Sequence, residues 1–255
     1  MNNGADRPLP VGECRYRVRY GEANRHGTLK LRALADYLQE AAAHHADSLG
    51  VGLENLAGEN MFWVLSCMGV EFERLPRLNE EIKLETWPRH GASPLFAMRE
   101  FVLRDAGDEV LVRATSAWLL LDSATLRPRR VSMLPVVLPQ NLERKFLFER
   151  LNEVADFAGT PCFRERIRES KIDVNRHLNN AEYFSWLEDC AAEAGCRIAA
   201  LKRIFINFVN EVKCGDQVDV SMRHDADKAI LAVAGGRVSD GRKIFKSTME
   251  FVGEA

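Results

Sequence analysis

The sequence predicts an α+β protein made of two tandem copies of one module, and three observations predict it. A short string recurs: Glu22-Ala23-Asn24-Arg25-His26 returns as Asp173-Val174-Asn175-Arg176-His177, 151 residues later (177 − 26). Before each copy, arginines occupy every second position, Arg15, Arg17 and Arg19 in one and Arg164, Arg166 and Arg168 in the other. That period of two is the period of a strand. After each copy, apolar residues recur at helical spacing. An internal repeat of this kind governs the whole fold.

Each element follows from local pattern. In the first copy Tyr16, Val18 and Tyr20 alternate with the arginines, so they line the opposite face of the strand. Leu31, Leu34, Ala35, Leu38, Ala42, His45 and Leu49 then mark a helix that Gly50 closes. The second helix is marked by Phe184, Leu187, Ala191, Ala194 and Ile198. Thr28 stands at the position of Asn179, and both are N-cap residue types. Between the helices the offset falls to 149 (187 − 38), as though two residues were lost. Val70–Phe72 and Ile82–Leu84 match Ile206–Phe208 and Val218–Val220, and two further strand pairs follow at 99–104 with 110–121 and at 229–238 with 243–252. Asp105-Ala106-Gly107-Asp108 and Ser239-Asp240-Gly241 are their hairpin turns. A helix with one apolar stripe then needs a curved antiparallel sheet against it.

These matches divide the chain into a polar segment at 1–13, a first module at 14–121, a connector at 122–160 and a second module at 161–255. The connector holds Pro128, Pro135 and Pro139, followed by a polar stretch, Asn141–Phe157, with helical character.

Composition excludes several classes of function. With 255 residues, Lys+Arg 35 against Asp+Glu 37, and 46% hydrophobic residues, the chain is an ordinary globular one of net charge −2. A nucleic-acid-coating protein would carry a basic excess. The nearly apolar runs Met61–Val70 and Ala117–Leu121 are far short of the ~20 residues a membrane-spanning helix needs. The opening MNNGADRPLP shows no charged-then-apolar leader, so a cytoplasmic protein is expected. Cys14, Cys67, Cys162, Cys190, Cys196 and Cys214 form no CxxC pair and suit reduced, partly buried thiols. Neither a phosphate-binding glycine loop, a nucleophilic serine elbow nor an H-E-x-x-H pair occurs. His44 and His45 are adjacent, hence divergent on a helix, and His90 and His224 fall in turn-like contexts. Neither metal nor cofactor is expected.

A candidate site emerges from comparing the copies. Asp173, Asn175 and His177 lead into Asn179-Asn180 at a helix start, where unpaired N–H groups favour developing negative charge. Read alone, Asp173 and Asn179 are equally well a turn and a cap residue. Glu211 aligns with Leu75, so only the second copy carries a carboxylate on this otherwise apolar strand. Such a carboxylate is costly to bury without a partner. His177 or Asn175 would supply one. A surface glutamate before the Lys213–Asp216 turn is the simpler alternative.

These residues resemble a known family. The order strand, helix, antiparallel strands resembles the hotdog fold, and two in one chain a tandem double hotdog. The run from Asp173-Val174-Asn175-Arg176-His177 through Leu178-Asn179-Asn180 to Trp186-Leu187-Glu188 is similar to the signature of the acyl-acyl-carrier-protein thioesterases of bacteria and plant plastids. Tyr37-Leu38-Gln39-Glu40, Phe62-Trp63-Val64, Glu85-Thr86-Trp87 and Arg113-Ala114-Thr115-Ser116-Ala117-Trp118 are similar to further family blocks. The resemblance covers about residues 14–252 and implies that Asp173, Asn175, His177 and Glu211 are catalytic. Val212 occupies the place of a cysteine found in plant members, which removes a thiol mechanism there. Without a transit segment before Cys14, a bacterial-type cytosolic enzyme is implied.

The family implies hydrolysis of fatty acyl-acyl-carrier protein, releasing free fatty acid and ending elongation, with no metal or serine nucleophile. Glu211 would act as general base or support for the nucleophile, with His177 orienting it and the water. Asn175 would position water or thioester, and Asp173 would tie down the loop or share the base role. N–H groups around Asn179 and Asn180 would hold the oxyanion. The first module would line the acyl tunnel, with Met61, Trp63 and Met68 as candidate substrate contacts. Acyl carrier protein, which is acidic, would dock through Arg127, Arg129, Arg130, Arg144 and Lys145. Nucleic acid and membrane insertion are not expected, and a homodimer is open. The rival readings are an acyl-coenzyme A thioesterase, a non-catalytic acyl-binding protein of the same fold and, more weakly, a hydratase.

Overall fold

The computed structural model describes residues 10–252 apart from 92, 142 and 152. The expectation of no leader, and most of the polar segment 1–13, therefore lie outside the described residues.

Among the described residues, eleven strands form one antiparallel sheet with two long helices packed on it. The first half comprises β1 (Gly12–Arg17), α1 (Leu31–Ser48), the short α2 (Leu53–Gly58), β2 (Met61–Phe72), β3 (Glu81–His90), β4 (Phe96–Asp105) and β5 (Val110–Asp122). A two-residue β6 (Pro128–Arg129) pairs with β5. The second half comprises β7 (Thr160–Arg166), α3 (Asn180–Glu193), β8 (Leu201–Phe208), β9 (Gln217–Asp225), β10 (Ile230–Arg237) and β11 (Lys243–Phe251). Strand order is β1-β3-β4-β5-β2-β8-β11-β10-β9-β7, the same order read inward from either edge. Each half is one long helix against a five-stranded antiparallel sheet, the hotdog arrangement.

The halves join edge to edge through β2 and β8, and the pairing is self-complementary. Gly69 faces Phe205, with Met68 opposite Ile206 and Val70 opposite Ile204. Because Val70 corresponds to Ile206 and Met68 to Ile204 at the 136 offset (206 − 70), these contacts repeat about a pseudo-twofold at Gly69–Phe205. An isologous contact of this kind is what two copies of one module make. One face of the joint sheet carries the helices, and residues of both halves share one core around Leu34, Leu38, Val70, Phe184, Leu187 and Ile206.

The hydrogen bonds correct the register read from the recurring string. Asn24 N donates to Thr28 O at 2.8 Å, and Asp173 N donates to His177 O at 2.9 Å. The bridge Ala23–Leu29 corresponds to Ile172–Leu178, and the helices start at Leu31 and Asn180. All of these hold one offset of 149, so no residues were lost between loop and helix. Asn24 therefore corresponds to Asp173, Thr28 to His177 and Lys30 to Asn179. The similar strings misled because both contain Asn-Arg-His, although the turn that organises each loop starts two residues apart in them.

Two element boundaries also differ from expectation. The second helix ends at Glu193 rather than running to Ile198, because Gly195 takes a left-handed φ of +74° and turns the chain. No helix forms among the described residues of 141–157. The described residues of this segment form a strap across the sheet face opposite the helices. Its backbone bonds to sheet side chains: Leu147 N to Glu100 Oε2 at 3.2 Å, Phe148 N to Thr115 Oγ1 at 3.4 Å, and Val154 N to Asn207 Oδ1 at 2.6 Å. Arg89 donates to Phe148 O from the same face. These bonds replace the helical ladder.

Candidate active site

The site begins as a loop that its own backbone folds. Arg176, at φ +64°, turns the chain so that Arg176 N donates to Asp173 O at 2.9 Å. The Asp173 carboxylate fills the loop's interior: Oδ1 accepts from Asn175 N at 2.9 Å and His177 N at 3.3 Å. This is an Asx-type turn, a frequent use of aspartate in loops. Asn179 follows as N-cap of α3, its Oδ1 accepting from Ala181 N at 2.9 Å. Leu178 N donates to Val212 O at 2.8 Å, which lays the loop after β8 alongside.

That contact brings together His177 and Glu211. Nε2 of His177 lies 2.7 Å from Glu211 Oε2, with side-chain exposures of 36% and 49%. Glu211 is neither on a strand nor buried, since β8 ends at Phe208; the burial cost invoked for it does not arise. Its second oxygen, Oε1, lies 2.9 Å from Lys213 Nζ. Lys213 was not singled out from sequence, although its position two residues after a candidate carboxylate was a usable signal. Lys213, His177 and Arg237 hold the Glu211 carboxyl below the usual glutamate range, against a partial desolvation that pushes the other way. Asn175 is exposed at the loop tip.

A narrow cleft lies between the two long helices, where α3 begins three residues after His177. Its walls are apolar side chains that include Leu38, Leu65, Met68 and Phe184, with Gln39 and Asn180 as the polar residues beside the Trp118 indole. The Trp118 N–H is already engaged, donating to Ser116 Oγ at 2.7 Å. Met68 and Asn180, both singled out from sequence, thus meet in one place. Met61 and Trp63 do not join them. They pack in a separate cluster with Leu49, Val51, Leu56 and Leu120, where Trp63 Nε1 donates to Val51 O at 3.0 Å. Gln39 entered the sequence reading only within a family block.

The first half lacks the pair. Thr28 stands at the place of His177, Leu75 at that of Glu211 and Arg77 at that of Lys213. Glu22, expected to mirror Asp173, instead takes Arg19 and the Tyr37 hydroxyl, the latter at 2.6 Å. His26 is exposed and contacts Arg25.

The remaining candidates have structural uses. His45 is buried, with Nδ1 3.0 Å from Arg99 Nη1. His224 lies on β9 rather than in a turn, 3.5 Å from Cys196 Sγ, and His90 closes β3. Among the described residues, no three His, Cys, Asp or Glu side chains gather as a metal site, and no helix is long and apolar enough to cross a membrane. All six cysteines are free thiols. Of the basic connector residues, Arg129 pairs with Asp122, and Arg144 stacks over Trp87 at 4.6 Å. Arg127, Arg130 and Lys145 are exposed.

Residues 11–133 match the acyl-ACP thioesterase N-terminal domain, and residues 163–251 match the acyl-ACP thioesterase C-terminal domain. An oleoyl-acyl carrier protein thioesterase of Coriandrum sativum chloroplasts is 26% identical over 238 residues, covering 86% of this chain and 64% of its own length. The chain thus spans less than two thirds of that relative. Two solved structures share the fold. One is an acyl-ACP thioesterase from Bacteroides thetaiotaomicron, at TM-score 0.84 and 21% identity, covering 95% of this chain and 98% of that one. The other is a 12:0-ACP thioesterase from Umbellularia californica, at TM-score 0.76 and 19% identity, with coverage of 96% and 98%.

Proposed function

Because the chain belongs to the acyl-ACP thioesterase family, we propose that it hydrolyses the thioester of a fatty acyl-acyl-carrier protein, releasing the free fatty acid and ending chain elongation. The observation that carries the chemistry is the 2.7 Å contact of His177 Nε2 with Glu211 Oε2. An ionised carboxylate only accepts hydrogen bonds, so Nε2 carries the proton and Nδ1 is the free ring acceptor. Nδ1 takes a proton from water as the water oxygen attacks the thioester carbon. Negative charge collects on the former carbonyl oxygen. When the C–S bond breaks, His177 returns the proton to the departing sulfur.

Glu211 then serves to orient His177 and to stabilise its protonated form. This role suits it better than that of base, because Lys213 and His177 both lower its basicity. Asp173 holds the His177 and Asn175 N–H groups and so fixes the loop, leaving the Asn175 amide at the tip to meet water or thioester. The second half is thus the catalytic module, and the first half supplies the acyl side through Leu65 and Met68. The cleft has only about 10 Å³ of room for water, so an acyl chain enters by displacing side chains, for which the flexible thioether of Met68 is suited. An acidic carrier protein, met in the cytoplasm, would be steered by the exposed Arg127, Arg130 and Lys145.

Relative kcat/KM on palmitoyl-carrier protein and palmitoyl-coenzyme A tests the reading. A preference for the carrier protein supports it; a preference for coenzyme A moves the function to acyl-CoA hydrolysis at the same site.

A further inference from the structure

The two halves differ at a facing pair of positions of the helix–helix contact, and in one corner both residues line the cleft. In the 149-residue register Gln39 of α1 corresponds to Glu188 of α3, and Leu31 corresponds to Asn180. Glu188 reaches across to the start of the other helix. Its Oε2 accepts from Leu31 N at 3.0 Å, and its Oε1 accepts from Asn24 Nδ2 at 3.5 Å. Lys30, the N-cap of α1, contributes no side-chain cap, so Glu188 fills that corner.

The pseudo-twofold carries this contact onto Gln39 and Asn180, where two features change. The side chain is an uncharged amide, and both residues line the cleft, Asn180 three residues after His177. In the first turn of α3, the Ala181 and Glu182 N–H groups are taken by Asn179, while Asn180 N has no partner among the described residues. The remainder of the cleft is apolar apart from the Trp118 N–H, which Ser116 holds. A thioester placed for attack by a water on His177 would thus have these two donors for its oxygen.

We propose that Gln39 is a thioester-binding residue, its Nε2 and the Asn180 N–H together cradling the carbonyl oxygen, and that Glu188 closes the equivalent corner of the first half. The proposal rests on the thioester-hydrolase reading and deepens it. Gln39 forms no covalent bond and moves no proton. It donates to an oxygen whose negative charge grows as water attacks, an interaction stronger in the transition state than in the ground state. A carboxylate at this position would take the N–H itself, as Glu188 does, and repel the oxyanion.

The test is steady-state hydrolysis of palmitoyl-carrier protein by Gln39→Glu and Gln39→Met, with Glu188→Gln as comparator and a thermal melt of each. Both Gln39 variants should lose on the order of 10²-fold in kcat with KM within about threefold, as expected for a lost oxyanion donor. Glu188→Gln should keep kcat within about threefold of wild type. The proposal is overturned if either Gln39 variant keeps wild-type kcat, if the loss is confined to KM, or if it tracks a collapsed melting temperature in both variants. Absence of turnover in the wild type with either acyl carrier overturns the hydrolase reading and this proposal together. Wild-type-like Gln39 variants beside an inactive His177→Ala overturn this proposal alone.

Discussion

At the scale of single residues, the site is a carboxylate shared between an imidazole and an ammonium. Lys213 is the first cause of the low Glu211 pKa, with His177 and Arg237 adding to it. Glu211 therefore stays ionised to lower pH than an ordinary glutamate, and its support of His177 persists there. Lys213→Ala removes the main cause, so the Glu211 pKa rises toward its ordinary value. The Glu211 carboxyl titration, followed by 13C NMR, should then move to higher pH in Lys213→Ala than in wild type. An unchanged titration would show that Lys213 is not what holds the carboxyl down. The meeting of His177 with Glu211 was legible in sequence, because only the second copy carries a carboxylate where the first has Leu75, whereas Asp173 folds the loop and Asn175 stays exposed at its tip. Lys213 falls in a turn, where a charge is ordinary, and the sequence alternation of β8 does not mark its end at Phe208.

At the scale of elements, the helix starts divide the labour. Asn179 caps α3 from within its own half, whereas α1 takes its cap from Glu188 of the other. Asn179→Ala should cost about 1 kcal/mol of stability, seen as a lower urea midpoint at unchanged slope. It should also lower activity, since the same loop holds His177. The helices were legible from their 3.6-residue pattern, and their offset of 149 was the true register of the repeat. The loop string suggested another register because residue similarity does not report which N–H closes the turn. The strap at 141–157 was read as helical from composition, yet Glu100, Thr115 and Asn207 take its N–H groups one by one. Such long-range partners leave no local periodicity to read.

At the scale of the whole molecule, one chain makes the contact that two identical modules would make, and the duplication frees the halves to differ. The pseudo-twofold passes through Gly69 and Phe205, and the strap packs on it there: a Cβ on Gly69 would stand 2.7 Å from the Phe148 ring and 2.9 Å from Leu151. Gly69→Val should destabilise the fold by about 1–3 kcal/mol by overpacking, with kcat less affected than the urea midpoint. The joint sheet and the core that both halves share were legible only as a consequence of two modules needing mutual burial. The edge pairing of β2 with β8 was not, because strand alternation is blind to partner choice.

Thioester hydrolysis at the corner built on His177 and Glu211 is checked by thiol release from palmitoyl-carrier protein in wild type, His177→Ala and Glu211→Gln, on chains with matching melting curves. Wild type should turn over, each variant should fall on the order of 10²-fold or more, and the Thr28–Leu75 corner should add no activity. Equal rates in all three would refute hydrolysis at this corner.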